Sequence, residues 1–238
     1  MKPPFTPATA LLEAPAFPTG ITALDKLVGG LRRGAPHLFY GDENPLSSTL
    51  YTTTASAVKA GKKALIITAR DYHKGYILDT YELANALLQA GLDPEEGLRN
   101  VLVANIYNVR QTSIADKLVK LAVKKNVSLV SVVYTTELFR YKDYPALLAF
   151  LGKLKEILRK EAALTILAAR SPRSKRPIPD GPIFLRHFAS IIVRVEDAGR
   201  GFAGLVVEKG PCPTPYLLYA YMTPWGLTDP EGWFKWDA

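Results

Sequence analysis

A chain of 238 residues with 48% hydrophobic content can bury the core of one sizeable domain. Its net charge of +8 and pI near 9.4 point to an anionic partner, nucleic acid first, with a generally basic solvated surface as the plainer reading. One cysteine, Cys212, excludes an intrachain disulfide and a cysteine-built metal site, and the three histidines (His37, His73, His187) show no ligand spacing, so neither a metal nor a cofactor is expected.

Residues 1–18 are proline-rich and read as an extended N-terminal arm, with residues 19–238 as a single core domain. Met1-Lys2-Pro3-Pro4 does not open a signal peptide, and no apolar run reaches the roughly 18 residues of a bilayer span. The expectation is a soluble, cytoplasmic protein with no membrane partner. Eighteen prolines beside one cysteine and two methionines lean toward a thermophile.

Along the core, apolar β-rich runs at 37–40, 64–69, 101–107, 127–135 and 164–169 alternate with helical patterns at 48–60, 75–90, 113–125 and 144–162. Ile114, Leu118 and Leu121 share one face of the third helix, while Asp116, Lys117, Lys120 and Lys124 are the more exposed positions. This alternation predicts an α/β fold with a mostly parallel sheet flanked by helices. The rhythm then changes. Runs at 189–195, 202–208 and 216–222, the first two joined by Gly199-Arg200-Gly201, predict a C-terminal antiparallel β-meander.

The stretch YGDENPLSSTL, residues 40–50, frames a strand, a tight loop and a helix beginning near Ser47. Nucleotide-binding loops occupy that kind of frame, yet the residues that hold phosphate are missing. The surrounding sequence explains the frame. FPTGITALDKLVGG at 17–30 resembles the "STGI-x-x-LD-x-LLGGG" opening of the RecA/RadA recombinase superfamily. GLDPEE at 91–96 with NVLVANIYN at 100–108 is similar to the archaeal RadA segment "GLDPDEALKNIYVARAYN". LVSVV at 129–133, followed by Phe139-Arg140, resembles "LVIVDS…FR", and MTPWGLTD at 222–229 resembles the closing "ITEKGIED". The chain is identified on these motifs as a divergent archaeal RadA paralog, which implies a RecA-like core and a place in homologous recombination or DNA repair.

The same resemblance implies what has been lost. A working loop, G-x-x-x-x-G-K-[ST], turns backbone N–H groups toward phosphate, reaches the β/γ oxygens with Lys and binds Mg²⁺ with a hydroxyl. Here Gly41 and the Ser48 hydroxyl remain, but Leu46 replaces the second glycine, Ser47 replaces the lysine, and Pro45 has no N–H. The metal-supporting Asp of "LVIVD" is Val133, and the Glu that would activate water aligns with Arg70. Degenerate Walker A and Walker B motifs imply a pseudo-ATPase, because phosphoryl transfer depends on that positioning and charge. Two readings stay open for the site: Asp42 or Glu43 pairs with Arg70, or all three are solvated charges.

Other motifs carry the functional expectation. Arg170, Arg173, Lys175 and Arg176 lie in a Ser/Pro-rich segment where recombinases have their second DNA loop, which suits sequence-blind contact with single-stranded DNA. Arg140 and Lys142, with Tyr141 and Tyr144, occupy a short remnant of the first such loop. Phe5-Thr6-Pro7-Ala8 fits F-x-x-A, by which subunits of the family dock on one another, so Phe5 and Ala8 imply contact with a RadA-type recombinase or self-association. Leu11-Leu12 extends that strand or covers a sheet edge. Trp225, Trp233, Phe234 and Trp236 form an apolar C-terminal group. The competing class is a RecA-like scaffold or assembly subunit, of the kind found in Elongator's accessory ring, without DNA binding.

Overall fold

The computed structural model describes residues 16–69, 78–134, 138–159, 161–171, 176–223 and 225–229. Among them, nine strands form one sheet whose centre is β3 (Pro36–Gly41), six residues buried throughout. On one side of β3 lie β7 (Ala163–Ala169), β6 (Val127–Val133), β4 (Lys63–Ala69) and, at the edge, β5 (Val101–Ile106), all paired in parallel. On the other side lies β8 (Ile191–Gly199), also parallel to β3, then the antiparallel β9 (Phe202–Lys209), β10 (Tyr216–Thr223) and β11 (Gly226–Thr228). The predicted meander therefore does not stand apart. Its first strand completes the parallel core, and β3, covered on both faces, reads as a continuous apolar run for that reason.

Each face of the sheet has its own apolar layer. Phe39, Ile66, Leu129, Val193 and Leu205 pack with α1 (Thr22–Val28), α2 (Glu43–Lys59) and α3 (Thr80–Gln89). Leu38, Ile67, Val130, Ile166 and Ile192 pack with α5 (Thr112–Lys124), α6 (Tyr144–Leu158) and α7 (Phe184–Phe188). α4 (Pro94–Arg99) caps itself with Asp93, whose carboxylate accepts from Glu96 N–H at 2.9 Å. The Asp-Pro-Glu-Glu start of that helix is a legible signature that the periodicity reading passed over.

Three expectations change. Phe17, placed in the arm, is buried and pairs with Leu31 across a small sheet of β1 (Ala16–Phe17) and β2 (Leu31–Arg32). The helix expected near Ser47 begins four residues earlier, at Glu43. The apolar stripe of α5 faces outward: Ile114, Leu118 and Leu121 are 53%, 40% and 52% exposed, while Val119 and Ala122 turn into the core. A period-3.6 stripe says which residues share a face and nothing about what that face meets. Here it flanks β5, the edge strand among the described residues, where Val103 is also exposed.

Candidate functional site

The C-terminal ends of β3, β6 and β7 lie side by side, so the segments after Gly41, Val133 and Ala169 emerge at one edge of the sheet, the usual place for ligands in open α/β folds. Of the residues singled out from sequence, Gly41, Ser47, Ser48, Val133, Arg140, Lys142, Arg170 and Arg176 are described; Arg70, Arg173, Lys175, Phe5 and Ala8 lie outside the described residues.

Gly41 is held by its neighbour strand. Its φ is 149°, and a Cβ there would fall 1.7 Å from the carbonyl oxygen of Val195. The next residue continues the seam: Asp42 N–H donates to Val195 O at 3.0 Å, and the Asp42 carboxylate accepts from Asp197 N–H at 2.9 Å. With Asp42 as the N-cap, α2 starts at once, and Leu46 N–H makes the first helical bond back to Asp42 O at 3.1 Å. Pro45 sits in the first turn, where an N–H has no intrahelical acceptor, so its missing donor costs the helix nothing. The loop implied by YGDENPLSSTL is thus a helical turn.

The hydroxyls of Ser47 and Ser48 are engaged inside the protein. Ser48 donates to Thr223 O at 3.3 Å, and Ser47 Oγ lies 3.5 Å from the Tyr134 hydroxyl. One turn on, Thr52 donates to Ser48 O at 2.8 Å and accepts from Leu227 N–H at 2.6 Å. The β10–β11 hairpin therefore clasps the hydroxyl row of α2, and Gly226 makes room for it, since a Cβ would come within 2.8 Å of Thr52 Oγ1. Val133 is buried in the same apolar layer as Leu46. A cavity of about 420 Å³ lies farther along α2, bordered by Gly20, Thr52, Lys59, Gln89 and Trp225, away from the helix start.

The basic segments are placed unequally. Arg170 N–H donates to Gly41 O at 2.7 Å, and its guanidinium lies 3.5 Å from Glu196. Arg194 pairs with both Glu196 and Glu208; Arg186 reaches Glu208 at 3.3 Å. The Tyr40 hydroxyl stands 2.8 Å from Glu208 and 2.9 Å from Pro177 O, and burial first, then Glu208, holds that phenol protonated well above its usual range. Arg170 is thus part of a carboxylate-bound network, whereas Arg176, Arg140 and Lys142 are exposed. Tyr141, 86% exposed, meets Tyr144 edge-on at 5.5 Å. Sequence reasoning missed Glu196, Glu208, Tyr134 and Thr52. The alternation Arg194-x-Glu196 on a strand was a readable sign that both side chains share one face; the others depend on contacts far along the chain.

Among the described residues no His, Cys, Asp and Glu are gathered as a metal site, and no helix is long and apolar enough to cross a membrane. No family model and no curated protein matches the sequence. Solved chains that share the fold number 623, so the fold alone selects no single activity. One is a RadB recombinase, similar at 23% identity and a TM-score of 0.73, over 90% of this chain and 99% of that one. The chain has a RecA-like α/β fold, with a RadB recombinase among its structural neighbours.

Proposed function

We propose that this protein is an ATP-independent accessory factor of homologous recombination and DNA repair, a RadA paralog whose nucleotide site has been converted into structure. The observation that carries the reading is the helical turn directly after Gly41. It leaves no extended loop to present consecutive N–H groups to phosphate, and Ser48 is turned to Thr223. Val133 supplies apolar packing where a metal-supporting carboxylate would stand. The likeness to a RadB recombinase supports the recombination setting. Calorimetry with Mg-ATP, followed by a turnover assay, tests the proposal. No heat of binding and no phosphate release are expected; binding with hydrolysis would overturn it.

The accessory role is contact. Exposed Arg140, Lys142 and Arg176, together with Arg173 and Lys175, grip the phosphates of single-stranded DNA. The edge of β5, with Ile114, Leu118 and Leu121 beside it, receives an extended segment bearing an F-x-x-A pair, from a recombinase subunit or a second copy of this chain. That open edge also suits the scaffold reading, in which assembly proceeds without DNA. Reversing the charges of Arg173, Lys175 and Arg176 separates the two: only the accessory-factor reading loses strand affinity.

A further inference from the structure

On the face shared by α5, α6 and α7, α7 reaches as far as β9, where Arg186 pairs with Glu208 and Lys209 donates to the Ala189 carbonyl at 2.5 Å; beyond it, Leu217 and Tyr219 of β10 stay exposed. Register fixes what stands there. Tyr221 lies opposite Phe202, Tyr219 opposite Gly204, and Leu217 opposite Val206. Their neighbours in β10, Leu218, Ala220 and Met222, turn to the other side and join the core, as a two-residue period requires. Leu217 and Tyr219 are 50% and 47% exposed, and the rings of Phe202 and Tyr221 stack at 4.5 Å. Gly204 leaves the sheet flat beside Tyr219.

The pairing continues from this aromatic face into the ion-paired network of Arg194, Glu196 and Glu208. Glu196 is the partner of Gly204, Arg194 of Val206, and Tyr40 of Arg194. Tyr40 meets the carbonyl of Pro177, just after Arg176, and Arg170 bridges to Pro179. At the other end, exposed Arg200 sits in the hairpin turn beside Phe202. Exposed apolar area marks a contact surface, and one that runs between exposed Arg176 on one side and exposed Arg200 on the other suits a polyanion carrying flat apolar groups.

We propose that the outer face of β9 and β10 is a stacking platform for the bases of single-stranded nucleic acid, with Tyr219 and the Phe202–Tyr221 pair as its rings. The proposal rests on the single-strand reading above and extends it. The platform holds bases beside the phosphate contacts of Arg176 and Arg200, without reading sequence, because every base offers a π-face.

The test compares a labelled oligothymidylate with an abasic strand of equal length, by fluorescence anisotropy at several salt concentrations. The intact protein is expected to bind the base-bearing strand about tenfold more tightly. Tyr219→Ala with Tyr221→Ala removes that preference and leaves the abasic affinity unchanged, while Tyr219→Phe keeps it. A photo-crosslink from iodo-deoxyuridine to Tyr219 or Tyr221 in the unaltered protein gives the same answer if the double variant does not fold. Equal binding of both strands, or crosslinks elsewhere only, overturns the platform and leaves the phosphate grip standing. Failure to bind either strand removes the single-strand reading itself. Loss of a protein partner by the double variant, with strand preference intact, makes the face a protein interface and likewise overturns the proposal.

Discussion

The carbonyl oxygen of Val195 occupies the space that a side chain on Gly41 would need, 1.7 Å from an ideal Cβ. Glycine at position 41 thus has a structural reason: β8 and β3 touch there, backbone to backbone. Gly41→Ala is expected to destabilise the fold by at least about 3 kcal/mol, because the opposing atom is main chain and cannot swing aside. Urea denaturation measures it. A change below about 1 kcal/mol would show that the strands are not in this contact.

His37 makes stability depend on pH. Its ring is buried, Nε2 accepts from Arg32 N–H at 3.1 Å, and Nδ1–H donates to Leu164 O at 3.3 Å, so the neutral ring is the one that fits. Burial lowers its pKa to about 4. The unfolded chain, with a histidine near 6.5, binds the proton first as pH falls. The stabilisation is therefore complete above about pH 6.5 and is lost on descending toward pH 4, amounting to about 2 kcal/mol by pH 5. Unfolding free energies at pH 7 and pH 5 should show this loss, and His37→Gln should remove most of the difference.

Charge reversal of Arg173, Lys175 and Arg176 should weaken single-strand binding at all sequences alike. It should also reduce the slope of log affinity against log salt by about 2, at roughly 0.7 per lost phosphate contact. Arg170→Ala belongs to a different class, since that guanidinium is already paired with Glu196. Its expected cost is about 0–1 kcal/mol of stability, from a partly exposed pair. An unchanged salt slope in the triple variant would place the DNA contact elsewhere.

Ile114→Glu on α5 should leave stability within about 0.5 kcal/mol, because the side chain is half exposed. It should abolish co-purification with the recombinase, or self-association in sedimentation experiments. Phe5→Ala should have the same effect on the donor side of the contact. If Ile114→Glu instead unfolds the protein, the stripe is core after all.

Much of the architecture was legible in the chain. β3, β4, β6 and β7 are buried on both faces, which forces predominantly apolar runs, and helices of ordinary period lie between them. Residue identities at 46, 47, 70 and 133 are likewise facts of sequence. The start of α2 was not legible, because Pro45 and the Asp-Glu-Asn run suit a loop and a first helical turn equally well. Nor was the clasp on its hydroxyls, since Ser48 and Thr52 find their partners 175 residues away, at Thr223 and Leu227.

Sequence by itself determined the order of elements and the side chains available after Gly41, because both follow from local period and residue type. Only the tertiary structure decided that α5 turns its apolar stripe outward beside β5, the edge strand among the described residues, and that Arg170 is bound to Glu196 while Arg176 stays exposed. A side chain's role depends on what stands opposite it. Periodicity carries no information about elements that return from more than a hundred residues away.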